Sequence, residues 1–241
     1  MIILIGTGHV FDLKSSLIKV FDEKNPDIVC VELDKQRYNA IMMKRNNPKA
    51  FNDGRKNLPF IYKLLARFQE NLANEYGVTA GDEMLTAVNY AQSYQIPVEF
   101  IDMNAQNLFR KMWKSMPFSE KFRLLFSGFG GLFVSKKRVE EELKNFQKDF
   151  DSYIEKIGEK FPTIKKTLID KRNEYMVKRL ESLNEQYQSI ISCVGDGHIP
   201  GMSKLLGEKG IEYSVIRLAE LRKMKDTDST SGQFSVNYKP I

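Results

Sequence analysis

An α/β fold, with a mostly parallel sheet core and a large all-helical insertion, is predicted by three features of this 241-residue chain. Short apolar, β-branched runs recur at residues 2–5, 27–33, 96–102, 191–194 and 211–217, the signature of strands buried on both faces. Segments with helical spacing separate them, as crossovers between parallel strands require. Between residues 104 and 190 only helical periodicity is found.

The first strand, Ile2-Ile3-Leu4-Ile5, runs into Gly6-Thr7-Gly8-His9. Asp12 then stands where a helix needs an N-cap, Leu13, Leu17, Val20 and Phe21 share one face, and Asn25-Pro26 ends the helix. Asp27-Ile28-Val29-Cys30-Val31-Glu32-Leu33 is the second strand. Strand, helix and strand make a βαβ unit with parallel strands, which brings Glu32 to the sheet edge that carries His9. Asp34 caps a helix over 35–43, with Arg37 in its first turn. The basic cluster at 43–56 contains Pro48 and Gly54 and reads as a solvated loop. Helices are predicted at 58–76 and at 82–95, the latter with Met84, Val88 and Ala91 on one face. The third strand, 96–102, closes on Asp102.

Within the insertion, the apolar stretch at 124–134 holds three glycines and is far shorter than the ~20 residues that span a bilayer. It reads as a turn between helices or as an apolar loop able to touch a membrane. Val139, Leu143, Phe146, Phe150, Tyr153 and Ile157 form the seam of a helical hairpin. A second long helix, 163–188, carries Ile164, Leu168, Met176, Leu180, Leu183 and Tyr187 as its buried stripe. Arg172 stands in that stripe, four residues from both Leu168 and Met176. A guanidinium on an apolar face must snorkel out or meet a carboxylate or an anion, because an unpaired buried charge is costly. The inward placement is expected, since this helix feeds the strand that ends in Gly195-Asp196-Gly197-His198. A short helix at 200–208 and a last strand at 211–217 follow, and beyond 218 the chain reads as a loose polar tail. The expected organisation is one domain over 1–217, with the insertion at about 104–190 and a tail at 218–241.

The net charge of +6 is spread over many segments with acidic residues interleaved, which describes a solvated surface. No zinc-finger spacing or RNA-binding aromatic signature accompanies the basic cluster, so no nucleic-acid partner is expected. Cys30 and Cys193, the two cysteines, sit in apolar strands and are expected as reduced thiols. A strand at the very start, in place of a basic segment with a cleavage site, gives the expectation of a cytoplasmic protein. Contact with a membrane surface through 124–134, and homo-oligomers through the helical seam, are both open.

The chain has two histidines, and each ends a Gly-x-Gly-His phrase directly after a strand. Glycine lets the backbone turn sharply and lets a side chain or ligand come close, so Gly6 and Gly195 belong to the candidate site. Open parallel sheets bind ligands at the carboxyl ends of their strands. His9, Glu32 and His198 therefore form a candidate set for a divalent transition metal such as manganese, cobalt or zinc, with positions left for water and substrate. Asp196 and Asp102 are candidates for a fourth ligand or for supporting it. Without a metal, one histidine would be the general base, Glu32 would orient it, and Arg172 or Arg37 would hold an oxyanion.

These residues also carry a resemblance. Gly6-Thr7-Gly8-His9, the run from Pro26 to Asp34 with Arg37, Gly81-Asp82-Glu83-Met84, Phe100-Ile101-Asp102, Leu108-Phe109-Arg110-Lys111-Met112-Trp113, Lys171-Arg172-Asn173-Glu174-Tyr175-Met176 and Val194-Gly195-Asp196-Gly197-His198-Ile199-Pro200-Gly201-Met202 fall in one order. That order is similar to the TraB family, which includes the pheromone-shutdown protein PrgY and is related to GumN and the animal Tiki proteins. The likeness runs from residue 1 to about 217 and adds Glu83 to the residues around the site. Where the family has Asp-Arg-Asp after the third strand, this chain reads Asp102-Met103-Asn104, and the carboxy-terminal membrane helices of many members are not expected in it. The resemblance implies an EreA/ChaN-like fold, a type that includes a macrolide esterase and a haem-binding lipoprotein. By likeness to Tiki proteins it implies a metal-dependent peptidase using His9, Glu32 and His198, and by likeness to PrgY a protein that sequesters or cleaves a peptide pheromone. A peptide- or haem-sequestering protein without turnover is the alternative, and retention of the fold for a structural role is the third.

Overall fold

A computed structural model describes residues 1–8, 11–46, 82–131, 155–156 and 158–231. Its centre is a five-stranded parallel sheet in the order β3-β2-β4-β1-β5, formed by β1 (Ile2–Thr7), β2 (Ile28–Val31), β3 (Val98–Phe100), β4 (Ile190–Gly195) and β5 (Tyr213–Ile216). The α/β class and the parallel sheet are as the apolar runs predict. β4 enters between β1 and β2, so the first two strands are parallel without being neighbours. Thr7 pairs in register with Gly195, which ends β1 and β4 at the same level.

Helices cover both faces. On one lie α1 (Lys14–Lys24) and α3 (Asp82–Ser93), whose Leu17, Val20, Phe21, Met84, Val88 and Ala91 pack on Ile3, Ile5, Val29, Val31, Ile191 and Cys193. Between β2 and α3, the helix α2 (Lys35–Asn46) begins at Asp34, whose Oδ1 accepts the N–H of Gln36 and of Arg37. Asn25 ends α1 in the left-handed conformation, φ 42°, just before Pro26. The other face carries α7 (Lys171–Asn184) and α8 (Ile199–Glu208), which bury Met176, Val177, Leu180, Met202 and Leu206 on Ile2, Leu4, Cys30 and Val194.

Between β3 and β4 the described elements are helical: α4 (Ala105–Ser115), α5 (Phe118–Gly131), α6 (Pro162–Lys165) and α7. The long helix expected at 163–188 is interrupted, since a π-helical turn at Lys166–Asp170 separates α6 from α7. α7 also belongs to the layer that covers the sheet, so the insertion is partly a crossover. The glycine-containing stretch, expected as a turn or loop, is helical as far as Gly131. Pro117 opens that helix, Glu120 sits in its first turn, and glycine lowers helix stability by only about 1 kcal/mol. The expected helix at 58–76, the basic cluster beyond 46, the seam from Val139 to Ile157 and His9 lie outside the described residues.

The tail is the clearest correction. Residues beyond 217 were expected to be loose, yet Leu218–Ser231 forms α9. Leu221 is fully buried, Leu218 and Met224 pack on the same core, and Ser16 Oγ donates to the Leu221 carbonyl at 2.7 Å. The Arg222 guanidinium lies 4.2 Å from the Phe11 ring centroid. A few well-spaced apolar residues outweigh the polar composition of the segment, because the face of α1 supplies what they need to bury against. Leu221→Ala is therefore expected to lower stability by about 2–5 kcal/mol, read from the midpoint of urea unfolding. A loose tail would leave that midpoint unmoved.

Candidate functional site

Backbone pairing continues beyond the strands. Glu32 N–H donates to the Cys193 carbonyl at 3.0 Å, Ile101 N–H to Val31 at 3.1 Å and Asp102 N–H to Leu33 at 3.3 Å. This extension brings Asp102, Glu32 and Gly195 to one edge of the sheet, each at the end of its own strand. α7 then approaches from one face. Its π-helical lead-in and its packing on the sheet deliver Arg172 and Asn173 to that edge.

Arg172 turns inward, with its side chain 14% exposed. Its Nε and Nη2 donate to Asp102 Oδ1 and Oδ2, both at 2.9 Å, its Nη2 also donates to Glu32 Oε1, and its Nη1 donates to the Leu168 carbonyl at 3.2 Å. Burial works against the guanidinium charge, but the Glu32 and then the Asp102 carboxylates outweigh it and hold the group charged. Glu32 Oε2 accepts the Gly195 N–H at 2.6 Å, and its Oε1 faces His198 Nε2 at 3.4 Å. Burial pushes the Glu32 carboxyl up, yet His198 first and Arg172 next outweigh that and hold it well below the usual carboxylate range.

His198 is buried at the start of α8, after a 3₁₀ turn over Asp196–His198. Its Nδ1 lies 2.6 Å from Asn173 Oδ1. The expected residues Glu32, Asp102, Arg172, Gly195 and His198 thus come together. Asn173, which the sequence reading passed over, completes the group. Its signal was a polar residue three and four positions ahead of Met176 and Val177, on the buried face of α7.

The other candidates are placed differently. Arg37 reaches Asp102 Oδ2 at 3.5 Å with its side chain 39% exposed, at the rim of the group. Asp196 turns to Arg217, with Nε–Oδ1 at 2.9 Å and Nη2–Oδ2 at 2.8 Å, and accepts the Leu218 N–H at 2.9 Å, so it ties β4 to the start of α9. Gly6 makes room for it, since a Cβ there would run into the Asp196 carboxylate. Glu83 is buried in the first turn of α3, where its charge reaches the Cys193 thiol, on the sheet face opposite α7. That side also holds a cavity of about 680 Å³ lined by Phe11, Arg45, Glu83 and Tyr90 among others. The departure at Asp102-Met103-Asn104 has a local account: Asn104 Oδ1 accepts the Asn107 N–H at 3.0 Å and caps α4, a role that asparagine and aspartate share.

Among the described residues no group of three His, Cys, Asp or Glu side chains converges as a metal site, while the pair of Glu32 and His198 does face one point. A nitrogen and an oxygen donor, with the other imidazole nitrogen tied to a side-chain carbonyl, suit one side of a divalent ion.

Paired acids, an arginine and a histidine gather at the carboxyl edge of a parallel sheet, the place where open α/β sheets put their ligand sites. The profile of the TraB/PrgY/gumN family matches residues 1–214, and the chain belongs to that family. An uncharacterised protein of Methanocaldococcus jannaschii is 28% identical over 231 residues, covering 93% of this chain and 58% of its own length. TraB domain-containing proteins of Homo sapiens and Mus musculus are 22% and 21% identical, each covering 83% of this chain and 61% of theirs. The chain thus spans about three fifths of the length of these relatives. Among the described residues no helix is long and apolar enough to cross a membrane.

Arg172→Met leaves two carboxylates without their shared cation, and a loss of about 3–5 kcal/mol is expected in chemical unfolding. The pH dependence has a definite sign. A carboxyl held below its unfolded value of about 4.3 adds stability that is complete above that pH and is lost as pH falls through the folded value. Glu32→Gln should therefore show a shallower acid limb of stability than the parent, measured by unfolding across the acid range.

Proposed function

We propose that this edge is a metal-dependent hydrolase centre, of peptidase type, acting on a peptide or another small carbonyl substrate. The observation that carries the proposal is the 3.4 Å approach of His198 Nε2 to Glu32 Oε1 while Nδ1 is engaged by an amide oxygen. With Nδ1 protonated, two lone pairs face one another, and they repel unless a proton, a doubly donating water or a cation stands with them. A hydrolytic centre uses each of these.

Glu32 and His198 would hold a manganese, cobalt or zinc ion, and His9 is the candidate third donor, two residues past Thr7 in sequence. The ion, when bound, supplies Lewis-acid polarisation of a carbonyl and acidifies water. The chain's own groups do the rest. Glu32, ionised through the neutral range, accepts one hydrogen of a water at Oε1, and His198 Nε2 faces the same point as a nitrogen acceptor. The Gly195 N–H fixes Oε2, and Arg172 fixes Oε1. With its Nε and both Nη nitrogens committed to Asp102, Glu32 and Leu168, Arg172 is assigned to positioning Glu32. Arg37, at the rim, is assigned to the substrate carboxylate or a developing oxyanion.

Elemental analysis of protein purified without an affinity tag, followed by digestion of a peptide library with added manganese or cobalt, tests the reading. His198→Ala, His9→Ala and Glu32→Gln are each expected to lower turnover by about 10²-fold or more. Absence of both metal and cleavage sinks the proposal, and stoichiometric peptide or haem binding without product would replace it with sequestration.

A further inference from the structure

An imidazole can present either nitrogen as its lone pair, and which one it presents is set by the partner of the other. At His198 that partner is Asn173, itself buried at 3% exposure, so water does not compete for the contact. Oδ1 of the amide faces the ring, and its Nδ2 end lies against Gly201 of α8, so closely that a Cβ on Gly201 would run into it. The glycine lets α7 and α8 approach until the amide reaches the imidazole of His198, three residues earlier and just ahead of α8.

Asn173 adjoins Arg172 in sequence, and the two hold the two halves of the centre. Arg172 holds the Glu32 carboxylate and Asn173 the His198 ring, both from the first turn of α7. The π-helical turn at Lys166–Asp170 directly precedes them, and such turns shift the rotational phase of the helix that follows. The separation between Nε2 and Oε1 is thereby set by one helix end.

We infer that Asn173 is a positioning residue that holds His198 with its proton on Nδ1 and so keeps Nε2 as the lone pair facing Glu32. The inference rests on the hydrolase reading only for the use made of that lone pair. The tautomer itself is a property of the folded chain and can be read without any substrate.

The chain's two histidines make the measurement simple. Long-range proton–nitrogen correlation spectra of ¹⁵N-labelled protein, recorded with a chelator present and well above the ordinary histidine pKa of about 6.5, report which ring nitrogen carries hydrogen. His9→Ala assigns the signals. The parent is expected to show a protonated Nδ1 and a bare Nε2 at His198. Asn173→Leu, close in volume and without an acceptor, should move the proton to Nε2, while Asn173→Asp, which keeps the acceptor oxygen, should restore the parent pattern. Peptide cleavage, where present, should fall about 10–100-fold in the leucine variant and recover in the aspartate variant. If the leucine variant fails to fold, the parent spectrum and the aspartate variant decide. An Nε2–H form in the parent, or an unchanged pattern in Asn173→Leu, overturns the inference. An Nδ1–H pattern without cleavage supports the inference and removes only the hydrolase reading.

Discussion

Arg172 carries a permanent charge to a place where the sheet ends and water is largely excluded, and the surrounding structure is arranged so that this charge is never alone. Asp102 meets it with both oxygens and Glu32 with one. Those carboxylates come from neighbouring strands, while the arginine comes from a helix laid across one face, so the ion group joins β2, β3 and α7. Two acids beside a single cation leave a net negative charge, and Arg37 at the rim is placed to offset it. A group of this kind contributes little net stability compared with apolar packing, but it penalises every arrangement in which one member is missing. It therefore selects a single placement of α7 on the sheet.

That placement also decides how Glu32 and His198 face one another. The helix that neutralises Glu32 is the one that anchors the ring opposite it, so the charge on the carboxylate and the direction of the imidazole are set by adjacent residues. Membership of the TraB/PrgY/gumN family, with relatives in an archaeon and in mammals, fits a centre whose parts come from the strand ends and from one crossover helix.

Much of the fold was legible in the sequence because buried parallel strands write themselves as uninterrupted apolar runs. Residues 2–5, 28–31 and 191–194 lie in strands, and Asp34 and Asn25 sit at helix ends as their chemistry suggests. Arg172 was legible as a conflict, a charge on an apolar stripe, and the conflict resolves inward. Asn173 was less visible because a neutral amide makes a weaker conflict, and its partner is distant in sequence. The break of the long helix at Lys166–Asp170 has no glycine or proline to announce it. α9 was misread because composition was weighed over spacing, and Leu218, Leu221 and Met224 recur at three-residue intervals among polar neighbours. The histidine pair was legible as a repeated phrase, but the second phrase does more than turn the chain: its Asp196 binds toward β5 and its His198 toward α7.

The order of the strands has a consequence for how the sheet is assembled. β1 lies between β4 and β5, so it is separated from both its neighbours by more than 180 residues of chain, pairing through residues 190–195 and 213–216. β2 and β3 can pair with each other early, but the apolar segment Ile2-Ile3-Leu4-Ile5 finds its pairing partners only once residues 190–195 and 213–216 are present. Closing loops of that length is slow, and a waiting apolar strand is prone to wrong partners. The candidate site is thus gathered late, when β4 enters between β1 and β2 and brings His198 up to Glu32.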